Sequence, residues 1–420
     1  MKVRIIHNHS LFNWFCGVIL IITALTAMIG CNDKLSVVGN NLLSDTLQLT
    51  SINSSDSLPL ITGSSSFSKS ISLSGVGYVF IGKTSTSEAL TLSRIAMPDS
   101  VPDLNVADII SAKLFISASN PYYAFGDTTN NQLSFSVVKV LKLWGTTATR
   151  DSITPDYFDS KPLATYNGKI PLRDSTGTFT VDFDKDQVIE WFSLRRKLGS
   201  GNDSLNYGIA FRANSDCNII RRFSAGSVGN AEAPQFTSLQ VVYRRTTDTN
   251  STVITIPSSY EGTYVTTPNP TEKSITIQGV SAIHSQISFD VSSIPKGVAI
   301  HLAGLTLTLD PSRSEAGTAG TDAAVYAEFI DSTSNNLVRT YYGARSQDAN
   351  GNYTNEYFFP SLNSALEAMV RRNGIGTITL QTQPANYYKR MDKLVFFGAQ
   401  ESDSTKRPRM TVVYSTRPKF

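Results

Sequence analysis

The chain has only 3 cysteines and 4 histidines in 420 residues. Beyond Cys31 the histidines are His284 and His301, each alone in a strand-like run, and no Cys-x-x-Cys, His-x-His or His-Glu-x-x-His occurs there. A zinc site therefore lacks the ligand pairs that it needs, and no metal, cofactor or catalytic residue is expected. The nearest approach to a nucleophile elbow, Ala225-Gly226-Ser227-Val228-Gly229, has alanine in place of its first glycine and follows no strand-to-helix turn. An excess of charge is also missing: 37 basic residues face 34 acidic ones, which gives no reason to expect nucleic acid as a partner.

Long apolar runs are absent except near the start, where Lys2 and Arg4 precede a nearly unbroken apolar stretch from Phe15 to Ile29. That pattern is an export signal. Gly30 and Cys31 follow, and polar residues begin at once with Asn32 and Asp33. The junction resembles a bacterial lipobox, in which the cysteine sulfur receives a diacylglyceryl group and the signal is cut just before it. The mature chain is then expected to begin at Cys31, exported and lipid-anchored at the cell envelope, at the outer membrane, with the membrane itself as a partner. An uncleaved anchor over Leu11 to Ile29 is the alternative, and it too leaves the rest outside the cytoplasm. Each buried methylene adds about 0.8 kcal/mol, so two or three acyl chains hold a protein at a bilayer almost permanently. With Cys16 in the signal and Cys31 carrying lipid, Cys217 has no partner for an internal disulfide.

Burial must supply the stability instead, and a chain of this length exceeds what one hydrophobic core usually serves. Residues 31–44 read as a tether, and serine-rich stretches such as SINSSDS and TGSSSFSKS bury too little to offset their own ordering. From Gly77 on, short β-branched and aromatic runs alternate with turn residues: YVFIG, AKLFISA, LSFSVVKVL, YGIAFRA and SLQVVY. These predict antiparallel strands of a sandwich or barrel. Helical spacing appears twice, in DQVIEWFSLRRK at Asp186 to Lys197 and in SLNSALEAMVRR at Ser361 to Arg372. A strand precedes each helix, strands follow it, and each series closes on Val-Val-Tyr, at Val241 to Tyr243 and Val412 to Tyr414. The expectation is an all-β chain of two tandem domains, 45–245 and 252–416, each with one short helix, after a signal over 1–30.

The residues from Phe289 to Leu309, FDVSSIPKGVAIHLAGLTLTL, together with the paired endings, resemble the DNRLRE domain family, which includes disaggregatase-related repeats and carbohydrate-binding modules. The second copy carries the opening Phe289-Asp290-Val291-Ser292-Ser293-Ile294-Pro295. The first carries Ser111 to Leu114, Trp144, Phe183-Asp184, Glu190-Trp191, Gly208 to Phe211 and Pro234 to Tyr243. The second has neither tryptophan. The resemblance implies jelly-roll-like sandwiches that contact polysaccharide or assemble at a surface, and no active site.

Sugars stack their apolar faces on exposed aromatic rings. Candidate rings are Tyr122 and Tyr123 in NPYYAFGD, and Tyr387 and Tyr388 in PANYYKR. Arg221, Arg222, Lys389 and Arg390 are candidates for acidic groups on such a polymer. Asp182, Asp184 and Asp186 alternate as in a calcium loop, but Gln187 and Ser193 break that pattern. Asp184 reads better as a helix cap, with Gln187 reaching back to it. Two further classes stay open: a structural or partner-binding envelope lipoprotein without a glycan ligand, and a lyase or hydrolase. Replacing Cys31 by serine is expected to move the protein from the membrane pellet to the soluble fraction and to abolish labelling by radioactive palmitate; unchanged pelleting and labelling would overturn the lipid assignment.

Overall fold

Alternation of apolar and polar residues fixes which side of each strand is buried. In Ile109–Ser117, Ile109, Ala112, Leu114 and Ile116 are buried, while Ile110, Lys113 and Ser117 are not. A computed structural model describes residues 48–54, 60–117, 122–170, 178–199, 206–227, 236–270, 273–331 and 337–416. The expected signal at 1–30, Cys31 and the expected tether at 31–44 lie outside the described residues. Among those residues, 22 strands form two systems of eleven, every described pairing antiparallel.

In the first system, Val76–Lys83, Glu88–Ile95, Ile209–Ala213, Gln132–Val140 and Phe158–Lys169 belong to one layer. Ile109–Ser117, Thr178–Asp182 and Thr237–Tyr243 form the other. The long strand Thr252–Thr266 joins both. It pairs with Thr237–Tyr243 up to Pro257, bulges between Ser258 and Tyr260, and continues against Glu88–Ile95. Leu114, Ile116, Leu239 and Val241 of one layer pack with Val79, Ile81, Phe135, Val137 and Phe211 of the other, which makes a sandwich.

The second system repeats these pairings. Hairpin Ile275–Gln278/Ile283–Asp290 takes the place of Val76–Lys83/Glu88–Ile95, and Ile375–Thr382 that of Ile209–Ala213. Ala324–Asp331 and Leu337–Gln347 stand for Gln132–Val140 and Phe158–Lys169. Its core contains Ile287, Phe289, Val325, Leu305, Tyr357, Phe359, Leu380 and Val412.

Strands cross between the systems in both directions. Ile61–Ser68 precedes the first hairpin in sequence yet pairs with Ile283–Asp290 in the second system. Thr252–Thr266 precedes the second hairpin yet pairs with Glu88–Ile95 in the first. The expected spans 45–245 and 252–416 are therefore each entered by a strand from the other, and residues 51–414 form one compact unit. The described residues of the remaining unit are Gln48–Thr50 and Ser415–Thr416.

The serine-rich stretch corrects a sequence expectation, because ITGSSSFS is a strand. Beyond its backbone ladder and the buried Ile61, it is held by serine hydroxyls. Ser66 Oγ donates to Ser274 O at 2.7 Å and accepts from Thr276 N–H at 2.9 Å, and Ser64 Oγ accepts from Ala399 N–H at 3.0 Å. The hydroxyls satisfy buried backbone groups that would otherwise cost free energy.

Helix Lys185–Leu198 begins where Asp184 Oδ1 accepts from the N–H groups of Asp186 (2.8 Å) and Gln187 (3.2 Å). The expected reach of Gln187 back to the cap is not made, and its Nε2 is buried without a hydrogen-bond partner. At the other end, Arg195 Nε donates to Pro98 O at 2.9 Å and Arg196 pairs with Asp103 at 2.7 Å, which pins the preceding loop. Helix Asn363–Arg372 buries Ala365, Leu366, Met369 and Val370. No described helix is long and apolar enough to cross a membrane. Asp184→Ala is expected to cost about 1 kcal/mol in urea unfolding, whereas Asp182→Ala, whose side chain is 91% exposed, changes stability by less than about 0.5 kcal/mol; equal losses would refute the capping role.

Candidate functional site

The eight residues nominated from sequence separate into three places. Tyr123, Arg221 and Arg222 are only 1%, 2% and 5% exposed. Tyr123 Oη donates to Asp392 Oδ1 at 3.0 Å and accepts from Met391 N–H at 2.7 Å. Asp392 also accepts from Gly317 N–H at 2.7 Å and is ion-paired with Arg390. Arg222 donates to Lys389 O at 2.9 Å, and its guanidinium lies 4.6 Å from the centre of the Tyr78 ring. These groups and an apolar cluster of Phe80, Phe125, Ile220, Val265, Val280 and Met391 join the two sandwiches. Burial pushes the Asp392 carboxyl up from the usual range, against the pull of Arg390. Tyr122 is half-buried with the Arg221 guanidinium 4.1 Å from its ring centre, and burial brings that guanidinium down to about 10. In this structure the faces of Tyr123, Arg221 and Arg222 meet the protein's own interior, so they offer no surface to a polymer.

Tyr387 and Tyr388 lie elsewhere, against the outer face of the second sandwich. The corresponding face of the first is closed. There Leu92, Val138, Val140, Ala210 and Tyr264 are covered by Trp144, which is 4% exposed and donates from Nε1 to Tyr207 O at 2.8 Å. The Tyr260 ring lies 4.8 Å from the Trp144 ring, and Tyr260 Oη donates to Trp144 O at 2.9 Å. No tryptophan occupies the second copy, and its outer face carries a different row. Tyr342 is paired with Tyr326, Tyr326 with Gln381, and on the adjoining strands His284 is paired with Phe67. Tyr342 is 48% exposed, and the Tyr326 and Tyr342 rings meet edge to face at 5.7 Å.

A cleft of about 230 Å³ opens beside this row, lined by Lys69, Ile71, His284, Gln381, Thr382, Pro384, Tyr387 and Tyr388. The short helix Pro384–Tyr387 ends on one tyrosine and Tyr388 follows directly, so the two do not alternate as they would on a strand. Tyr387 turns inward, with its hydroxyl 2.8 Å from His284 Nε2, while Tyr388 is 41% exposed and meets the Tyr387 ring edge to face at 4.9 Å. Gln381 Nε2 donates to Glu328 Oε1 at 2.6 Å. Burial, helped by the Lys69 charge, brings His284 down to about 4, and burial raises Tyr387 above the ordinary phenol range. Both groups are therefore neutral near pH 7. Among the described residues no group of three His, Cys, Asp or Glu could hold a metal ion. Asp182 instead faces Lys113 at 3.9 Å, and Asp184 is taken by the helix start and by Lys161 at 2.7 Å.

Sequence reasoning missed Lys69, Gln381, Tyr326 and Tyr342. Period-two spacing places Tyr326 opposite the buried Val325 and Ala327, but only the cross-strand register shows that it meets Tyr342 and Gln381.

No family model matches the chain, and no curated protein matches it. Among solved structures it is similar to a "putative secreted protein" from Parabacteroides distasonis ATCC 8503, at 11% identity over 84% of this chain and 100% of that one, with a TM-score of 0.18. It is also similar to the infectious bursal disease virus VP2 subviral particle, at 11% identity over 89% of this chain and 79% of that one, with a TM-score of 0.13. At these scores neither likeness carries an argument.

The depressed His284 basicity has a direct consequence. The unfolded chain takes up this proton near pH 6.5 and the folded chain only near 4, so this residue makes stability fall as pH drops through that window, by up to about 1.4 kcal/mol per pH unit. Its contribution is fully present above that window. His284→Gln is expected to flatten this part of the pH profile of the urea midpoint, and an unchanged slope would show that His284 titrates normally.

Proposed function

We propose that the chain is a non-catalytic, lipid-anchored envelope protein that holds extracellular polysaccharide on the outer face of its second sandwich. The observation that carries this reading is the contrast between equivalent faces. One is sealed by the protein's own tryptophan, while the other presents Tyr342 and Tyr388 beside a cleft of about 230 Å³. A pyranose ring needs an apolar plane to rest on and polar groups at its edge. Tyr388 supplies the plane, and Gln381, Thr382 and Lys69 supply the edge. The resemblance to DNRLRE domains points the same way, as does the lipobox-like Gly30-Cys31, which would keep the binding face at the cell envelope.

A protein partner is the competing reading, and one observation favours it. Farther along the same sheet, Ile330, Leu337 and Val338 are 58%, 49% and 52% exposed. A cluster of this kind suits another protein better than a sugar. The two readings separate on a glycan array. Tyr388→Ala and Tyr342→Ala should each weaken glycan retention about tenfold, while Val338→Ser leaves it unchanged. Retention of no glycan across a broad neutral and acidic set would remove the polysaccharide reading.

A further inference from the structure

The cleft beside Tyr388 has a charge as well as a shape. Lys69 is the only cationic residue in its lining, and no carboxylate lines it. The Lys69 side chain is exposed and has no ion-pair partner among the described residues, although its backbone is fixed by a hydrogen bond from its N–H to Ala282 O at 2.9 Å. A second cation stands next to it. Lys69 and Arg150 together line the small recess that adjoins the cleft, with Ile71, Tyr264 and Ser281.

Two carboxylates near the cleft are engaged by other groups. Asp151 accepts from Ser70 Oγ at 2.8 Å and faces Arg150 Nε at 3.3 Å, and Glu328 accepts from Gln381. His284, which faces Lys69, is neutral and bonded to Tyr387. The cleft lining itself therefore carries one ammonium and no carboxylate, together with an exposed aromatic plane, while the Glu328 charge stands behind Gln381. The two features select the same kind of unit, a sugar ring with an anionic substituent.

We propose that this cleft selects acidic saccharides, with a ring-borne carboxylate or sulfate meeting the Lys69 ammonium while the ring lies on Tyr388. This rests on the polysaccharide reading above and narrows it to one chemical class. Arg150 is a second contact for a chain that continues past the cleft, since it lines the recess on the Lys69 side. The burial of Arg221 and Arg222 does not weaken this assignment, because neither contributes to the cleft.

Affinity electrophoresis of the full-length protein in four polymer gels tests the proposal: polygalacturonate, its methyl ester, dextran sulfate and dextran. The expected result is retardation in one or both acidic gels and several-fold weaker retardation in the matched neutral ones. Retention in polygalacturonate alone identifies a carboxylate, and retention in dextran sulfate alone a sulfate. Lys69→Gln should lower acidic affinity about fivefold and reduce its salt dependence, without changing migration in the methyl ester. Tyr388→Ala should weaken the acidic polymers and the methyl ester alike. Equal retention of acidic and neutral polymers, or an unaltered acidic affinity in Lys69→Gln, overturns the charge selection and leaves the polysaccharide reading standing. Retention in none of the four gels overturns both.

Discussion

Each sandwich is completed by a strand that its own stretch of chain does not provide. A sheet strand in the interior needs hydrogen-bonding neighbours on both sides, because an unpaired buried N–H or C=O costs about as much as a lost hydrogen bond. Glu88–Ile95 finds one neighbour in Thr252–Thr266, and Ile283–Asp290 finds one in Ile61–Ser68. The two exchanges run in opposite directions, so neither sandwich has its full ladder without a segment from beyond the other. This explains how a chain with two separate apolar cores still forms one unit over residues 51–414.

The interlock places a polar knot at the junction, and that knot reaches the candidate site through one short segment. Between Pro384 and Asp392 the chain first gives Tyr387 and Tyr388 to the cleft, then the Lys389 carbonyl to Arg222, then Arg390 and Asp392 to the pair with Tyr123. Buried charges are tolerated only when paired and hydrogen-bonded, and Asp392 has both kinds of partner. The approach is close: a Cβ on Gly317 would lie 2.6 Å from the Tyr123 ring, so only glycine fits against that tyrosine. The fixed end of the segment thus limits where Tyr388 can sit. A rigidly held aromatic ring loses little freedom when a sugar settles on it.

Much of the fold was legible because period-two alternation and the two helical stretches are local signals. DQVIEWFSLRRK and SLNSALEAMVRR became helices with nearly the expected bounds, and the YVFIG, AKLFISA and SLQVVY runs became strands. The serine strand was not legible by composition, since its ladder and its hydroxyl bonds are to residues over 200 positions away. The strand exchange was hidden for a related reason: Ile61–Ser68 is equally compatible with either hairpin until cross-strand partners are known. For the site, adjacency misled. Tyr122-Tyr123 and Arg221-Arg222 look like surface clusters in one dimension, yet Arg222 and Tyr123 pack into the junction while Arg221 lies over Tyr122. Tyr326 and Tyr342 are 16 residues apart and escaped notice, although they touch.

The tryptophan difference between the two systems follows from what their outer faces carry. Trp144 is buried because its segment folds back over an apolar outer face, satisfying its indole N–H on Tyr207 O. In the second copy the same face carries His284, Gln381, Glu328 and Tyr326, which cannot be sealed by a flat apolar lid without stranding polar groups. Loss of the lid and gain of polar, aromatic side chains are therefore one change seen from two sides. Without such a lid the second face stays exposed at Tyr342 and Tyr388.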